Sequence, residues 1–202
     1  MDNFGDPGWF GHQQIAQLWG LVALRLASSQ VVAFNATTYT IELEKYLKSL
    51  DTIAKDRLGN DAESAKKTID LDPLGHAVAN LTQYAKALDA RAEELRNNPK
   101  SRTCYFNLLC FCRSRRSEIK HVNKAYLKFE RAFLGNGLPG RPVYRHVIYA
   151  PGTWEGYAGF TFPSIREAIA DEKWEEAREQ IHLVAKLLQK AASRKSCMRS
   201  NE

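Results

Sequence analysis

Apolar residues at Ile15, Leu18, Trp19, Val22 and Leu26 recur at steps of three and four, which predicts a helix over roughly residues 9–28 with one buried stripe. A second stripe, Tyr39, Leu43, Tyr46, Leu47, Leu50 and Ala54, follows the candidate caps Asn35, Thr37 and Thr38 and closes at Gly59 and Asn60. The most regular stripe is the third. Leu74, Val78, Leu81, Ala85, Leu88, Ala92 and Leu95 alternate four- and three-residue steps, with Asp72 before Pro73 as the expected N-cap and Asn97, Asn98 and Pro99 as the stop. Its sustained 3.5-residue period suits near-parallel packing in a bundle.

A fourth stripe runs through Ile119, Val122, Tyr126, Phe129 and Phe133, until Gly135, Gly137 and Pro139 forbid continuation. Between Leu138 and Pro163 the helical period vanishes, and glycine, proline and aromatic residues surround a short β-branched run, Val147 to Tyr149; an ordered loop is expected there. A short helix from Pro163 to about Ala170 precedes the last stripe, Trp174, Ala177, Ile181, Val184, Leu188 and Ala191. The fold class is therefore all-α: a helical bundle with one long loop rich in aromatics, glycine and proline. It is expected to form one domain over residues 1–195 with a disordered tail over 196–202.

Composition narrows this picture. With 44% hydrophobic residues, 202 residues can bury a core without disulfides or metals. No stretch approaches the roughly 20 consecutive apolar residues of a membrane span, and Met1 to Gly8 lacks the basic and then apolar order of a signal peptide. The net charge of +6 comes with basic runs at Arg102–Arg116 and Lys186–Arg199. Neither run has the regularly interleaved aromatics of a base-stacking surface, so both read as solvated faces, and nucleic acid is not an expected partner.

Candidate chemistry is sparse. Cys104, Cys110, Cys112 and Cys197 form no C-x-x-C pair and no cluster with histidine at zinc-site spacing. His-Glu-x-x-His and Gly-x-Ser-x-Gly motifs are absent from the sequence. His76 and His182 sit in helical patterns without ligand-register partners and read as structural, and His146 reads as a hydrogen-bonded packing residue. Asn35-Ala36-Thr37 and Asn80-Leu81-Thr82 are possible N-glycosylation sites if the chain enters the secretory pathway.

Several stretches resemble the transferrin-receptor-like dimerisation domain, as in glutamate carboxypeptidase II and transferrin receptor. Asp6-Pro7 with His12, Gly20-Leu21, Leu24-Arg25-Leu26-Ala27, Phe34, Tyr39 and Leu43-Glu44-Lys45-Tyr46 look like its opening. Phe129-Glu130-Arg131-Ala132-Phe133, Gly137-Leu138-Pro139, Arg141-Pro142, Tyr144 to Pro151, Tyr157-Ala158-Gly159 and Phe162-Pro163 resemble its second half. The resemblance spans nearly the whole chain. It excepts the tail and an atypical insert over 103–115, whose Cys104 to Cys112 is apolar and cysteine-rich.

The resemblance implies a non-catalytic module that pairs two subunits and packs against the peptidase and protease-associated domains of a parent chain. Such parents are type II membrane glycoproteins with this part on the luminal, vacuolar or extracellular side. Two zinc ions would belong to the parent peptidase domain, whose ligands all precede Asp6, so no catalytic residue, metal ligand or cofactor is expected in this chain, nor membrane contact by it. Tyr157 corresponds to a tyrosine lining the substrate pocket, but Gly156 stands where the family has a lysine, which argues against recognition of a terminal glutamate. Two other readings follow: the chain is the C-terminal part of an active zinc exopeptidase and contributes to its pocket, or it belongs to a receptor-like or sorting protein that has lost the chemistry.

Overall fold

A computed structural model describes residues 5–58, 69–97, 115–153 and 159–193. Among the described residues there are six α-helices: α1 (Phe10–Ser28), α2 (Ala36–Leu58), α3 (Asp72–Asn97), α4 (Arg115–Arg131), α5 (Pro163–Ala170) and α6 (Trp174–Ala192). Two short strands, β1 (Tyr149–Pro151) and β2 (Gly159–Thr161), lie between α4 and α5. The all-α reading holds.

The central helix is α3, packed chiefly against α6 and α2, with α4 on a further side. Its burial explains this position, because Leu74, Val78, Leu81 and Leu88 are joined by Ala77, Ala85 and Ala92, all at most 1% exposed. Large residues fill the core while the alanines let neighbouring backbones approach. Leu43 and Leu50 of α2, Ile181, Val184 and Leu188 of α6, and Ile165 and Ile169 of α5 complete one continuous core.

Two predicted boundaries move. Asp72 is the first residue of α3 and not its cap, since the Asp70 carboxylate accepts the Asp72 N–H at 2.8 Å and begins the helix sooner. Helix α4 ends at Arg131, two residues before the end of its apolar stripe. Phe133 N–H donates to Glu130 O at 2.9 Å, a tightened final turn, and its ring is still fully buried. At the start of α2, Asn35 is the side-chain cap, accepting the Thr38 N–H at 2.8 Å. The amides of Ala36 and Thr37 instead reach across to Asp89 of α3, at 3.1 and 2.7 Å. The Asp89 carboxylate also accepts the Thr37 hydroxyl at 2.5 Å and the Tyr126 hydroxyl of α4 at 2.8 Å, so one side chain ties three helices.

The first helix corrects the sequence reading. None of α1 is buried: the expected core stripe Ile15, Leu18, Trp19, Val22 and Leu26 is 49–74% exposed. The chain joins the body only beyond it, where Asn123 of α4 brackets Gln30 O and Val32 N at 2.8 and 3.0 Å, Arg96 of α3 donates to Val32 O at 2.8 Å, and Val31 is buried.

Candidate functional site

The long loop after α4 is ordered by backbone pairing. Val147 N–H donates to Phe133 O at 3.0 Å, Gly135 N–H to Arg145 O at 2.8 Å, and Leu138 N–H to Tyr144 O at 2.9 Å. Gly137 makes the tight return possible: its φ is +118°, and a Cβ there would lie 2.7 Å from the Pro142 backbone. Of the run Val147 to Tyr149 only Tyr149 enters a strand, in a two-stranded antiparallel sheet with Tyr149 opposite Thr161 and Pro151 opposite Gly159. This element goes beyond the expected loop.

The sheet holds both ends of the segment carrying Gly156 and Tyr157, which themselves lie outside the described residues, as does the atypical insert except for Arg115. An ion pair braces the same place. Arg141 Nη2 donates to both carboxylate oxygens of Glu167 at 2.6 Å, Arg141 Nη1 donates to Pro151 O at 2.6 Å, and Glu167 Oε1 accepts the Thr153 N–H at 3.2 Å. Both side chains are largely shielded, and the guanidinium is shared between the Glu167 carboxylate and the Pro151 carbonyl, so one charged group ties α5 to β1. Arg166 lies over the Phe160 ring at 4.5 Å, and Phe160 leaves no room for a side chain at Gly152.

An aromatic cluster joins this region to α2. Tyr39 stacks on Phe133, Tyr149 meets Tyr39 and Tyr46 edge-on, and the Tyr46 and Tyr149 hydroxyls are 2.9 Å apart. His146 stacks on Tyr149 and its Nδ1 accepts the Tyr149 N–H at 3.1 Å, which fixes the neutral ring with its proton on Nε2. Burial lowers its pKa, in the direction of that neutral form, against an opposing pull from Glu130. A packed, hydrogen-bonded histidine is what the sequence predicted.

His76 and His182 are exposed on α3 and α6. Among the described residues, no three histidine, cysteine, aspartate or glutamate side chains converge as a metal site. Asn35 and Asn80 both face outward, Asn35 through a carboxamide whose oxygen caps α2. Of the basic runs, Arg116, Lys186 and Lys190 are exposed. Neither Asp89 nor the Arg141–Glu167 pair is legible from local spacing, because their partners lie 26 to 53 residues away.

What remains outside the closed core is apolar surface. On the body this comprises Leu127, Leu134, Val143, Tyr144 and Leu183, 41–85% exposed. On α1 it comprises most of the helix.

The family model of the transferrin receptor-like dimerisation domain matches residues 69–194, from the start of α3 past the end of α6. A probable glutamate carboxypeptidase, LAMP1 of Arabidopsis thaliana, is 29% identical over 200 residues, covering 95% of this chain and 25% of that protein. A probable glutamate carboxypeptidase of Arthroderma benhamiae is 29% identical over 93% of this chain and 24% of its own length. Aminopeptidase NAALADL1 of Mus musculus is 30% identical over 96% of this chain and 24% of its own length. The chain thus spans about a quarter of the length of these relatives.

Proposed function

This chain belongs to the transferrin receptor-like dimerisation domain family, and on that basis we propose that it pairs two copies of a glutamate carboxypeptidase-like protein and packs against a peptidase domain, without carrying out catalysis itself. The observation that carries this reading is the division of its surface. Helices α2 to α6 close one core, and large apolar side chains nevertheless remain outside it at Leu127, Leu134, Val143 and Leu183. Large apolar side chains left outside a closed core are available to an assembly interface.

A second reading is favoured by the relatives' names, which are those of carboxypeptidases and an aminopeptidase. In it the chain is the C-terminal part of a zinc exopeptidase, and Tyr157 walls the substrate pocket beside Gly156. Two measurements test the first reading. Light scattering of the purified chain is expected to give a dimer. Titration with zinc, followed by peptide hydrolysis assays, is expected to give neither tight binding of two ions nor cleavage. Tight binding of two zinc ions with cleavage by the chain alone would overturn the non-catalytic assignment. If the chain passes the secretory pathway, glycans on Asn35 and Asn80 are expected and are read as mass lost on amidase treatment.

A further inference from the structure

One backbone amide of the long loop is held by a group that titrates near neutral pH. Phe162 N–H donates to Ile148 O at 2.9 Å, which makes Tyr149 and Thr161 a non-hydrogen-bonded pair and leaves the Tyr149 N–H outside the ladder. That N–H turns to His146 and donates to its Nδ1 at 3.1 Å. The imidazole is half-buried, stacked on the Tyr149 ring with centroids 5.8 Å apart and edge-on to Phe133 at 6.0 Å.

Tyr149 is in turn the contact of β1 with α2, where its ring meets Tyr39 and Tyr46 and its hydroxyl lies 2.9 Å from that of Tyr46. The other end of β1 is fixed differently, by Arg141 on Pro151 O, with Glu167 holding the Thr153 N–H. An arginine–carboxylate pair contains no group that titrates near neutral pH, whereas an imidazole does. The charged and titratable groups around the ring are Glu130 of α4 and, by way of Tyr149, the Tyr39, Tyr46 and Glu42 side chains of α2. Arg145, next to it in the chain, sends its Nε to Gly135 O. Burial pushes the Tyr39 and Tyr149 phenols well up, so neither ionises near neutral pH.

We propose that His146 is a proton-operated latch on one end of β1: its neutral ring holds Tyr149, and with it the contact to α2, and its protonated ring releases both. A protonated imidazole carries hydrogen on both nitrogens, so Nδ1 would face the Tyr149 donor with a second donor and has to turn away. Turning breaks the stack on Tyr149, and Glu130 of α4 attracts the new cation. Burial holds the folded ring below the ordinary histidine value of 6.5, against that attraction. The latch is therefore closed above about pH 6.5 and is lost as pH falls through the lower folded value. Arg141 keeps the Pro151 end in place over the same range. The latch is independent of the pairing of two copies.

Heteronuclear NMR of the full chain between about pH 7.5 and 5 tests this by following the His146 ring together with the Tyr149 and Thr153 amides. The Tyr149 amide shift is expected to follow a single proton, with the same midpoint as the His146 ring and below 6.5. Its exchange rate, corrected for the intrinsic pH dependence, should rise about 10-fold or more across that step. The Thr153 amide, held by Glu167, should show neither change. His146→Gln keeps a side-chain oxygen that can accept the same N–H but takes up no proton in this range, so it should abolish the step. A Tyr149 amide that stays unchanged while the His146 ring titrates would overturn the latch, as would the same step persisting in His146→Gln. Equal loosening of the Thr153 amide would mean general softening by acid and would overturn it too. If His146→Gln does not fold, the comparison of ring with amide in the unaltered chain decides alone.

Discussion

Replacing Asp89 with alanine is expected to loosen three helices at once. The carboxylate accepts the Ala36 and Thr37 amides, the Thr37 hydroxyl and the Tyr126 hydroxyl. Losing a helix N-cap costs about 1 kcal/mol, within a range of about 0.5–2. Leaving the hydroxyl of the 4%-exposed Tyr126 without its partner adds about 1–3 kcal/mol. The sum, about 3 kcal/mol, corresponds to a fall in melting temperature of about 6–12 °C for a chain of this size. Urea unfolding followed by far-UV circular dichroism measures it, with an unchanged slope expected if only stability moves. Adding Tyr126→Phe provides a double-mutant cycle: once Asp89 is gone, removing the hydroxyl should recover part of the loss, because the orphaned group goes with it. A loss below about 1 kcal/mol for Asp89→Ala, or no coupling to Tyr126, would refute the assignment of Asp89 as a shared cap.

Three other outcomes follow from particular contacts. Arg141→Ala strands the shielded Glu167 carboxylate and should cost about 3 kcal/mol, with faster amide exchange in β1 and β2; unchanged exchange there would show that the pair does not brace the sheet. Among the described residues the hydroxyl of Ser164, 3% exposed, has no hydrogen-bond partner, so Ser164→Ala should stabilise by about 1 kcal/mol, and a destabilisation of that size in a thermal melt would contradict this. The His12 hydrogen bond, with help from the Gly11 and His12 amides, lowers the Asp6 carboxyl to about 2. A depressed carboxyl pKa stabilises above the unfolded value near 4 and loses that contribution as pH falls toward 2, so the start of α1 should fray in that window. Carbon-detected NMR titration reads the value, and an ordinary pKa for Asp6 would remove the cap.

Periodicity made the bundle legible because α2, α3, α4 and α6 bury a single continuous stripe or two adjacent ones, and spacing encodes that directly. Every residue of the stripe Leu74, Val78, Leu81, Ala85, Leu88, Ala92 and Leu95 is buried. The same logic misplaced α1. An apolar stripe says that a surface will be covered, and it does not say by which body; the informative residues were Leu21 and Leu24, which fall outside the stripe. The small sheet escaped because Gly159–Thr161 and Tyr149–Pro151 are too short to carry a pattern, and the β-branched Val147 and Ile148 lie just ahead of the strand. Asp89 and Arg141 act through partners distant in sequence, so no local spacing announces them. The pocket residue Tyr157 rests on resemblance alone, and Gly156 beside it removes the cation that the resemblance would otherwise supply.

Sedimentation equilibrium of the purified chain from low micromolar to about a hundred micromolar measures assembly directly. The predicted result is a species of twice the 22.9 kDa chain mass. A mass that stays at 22.9 kDa across the whole range would contradict the pairing of this domain with itself.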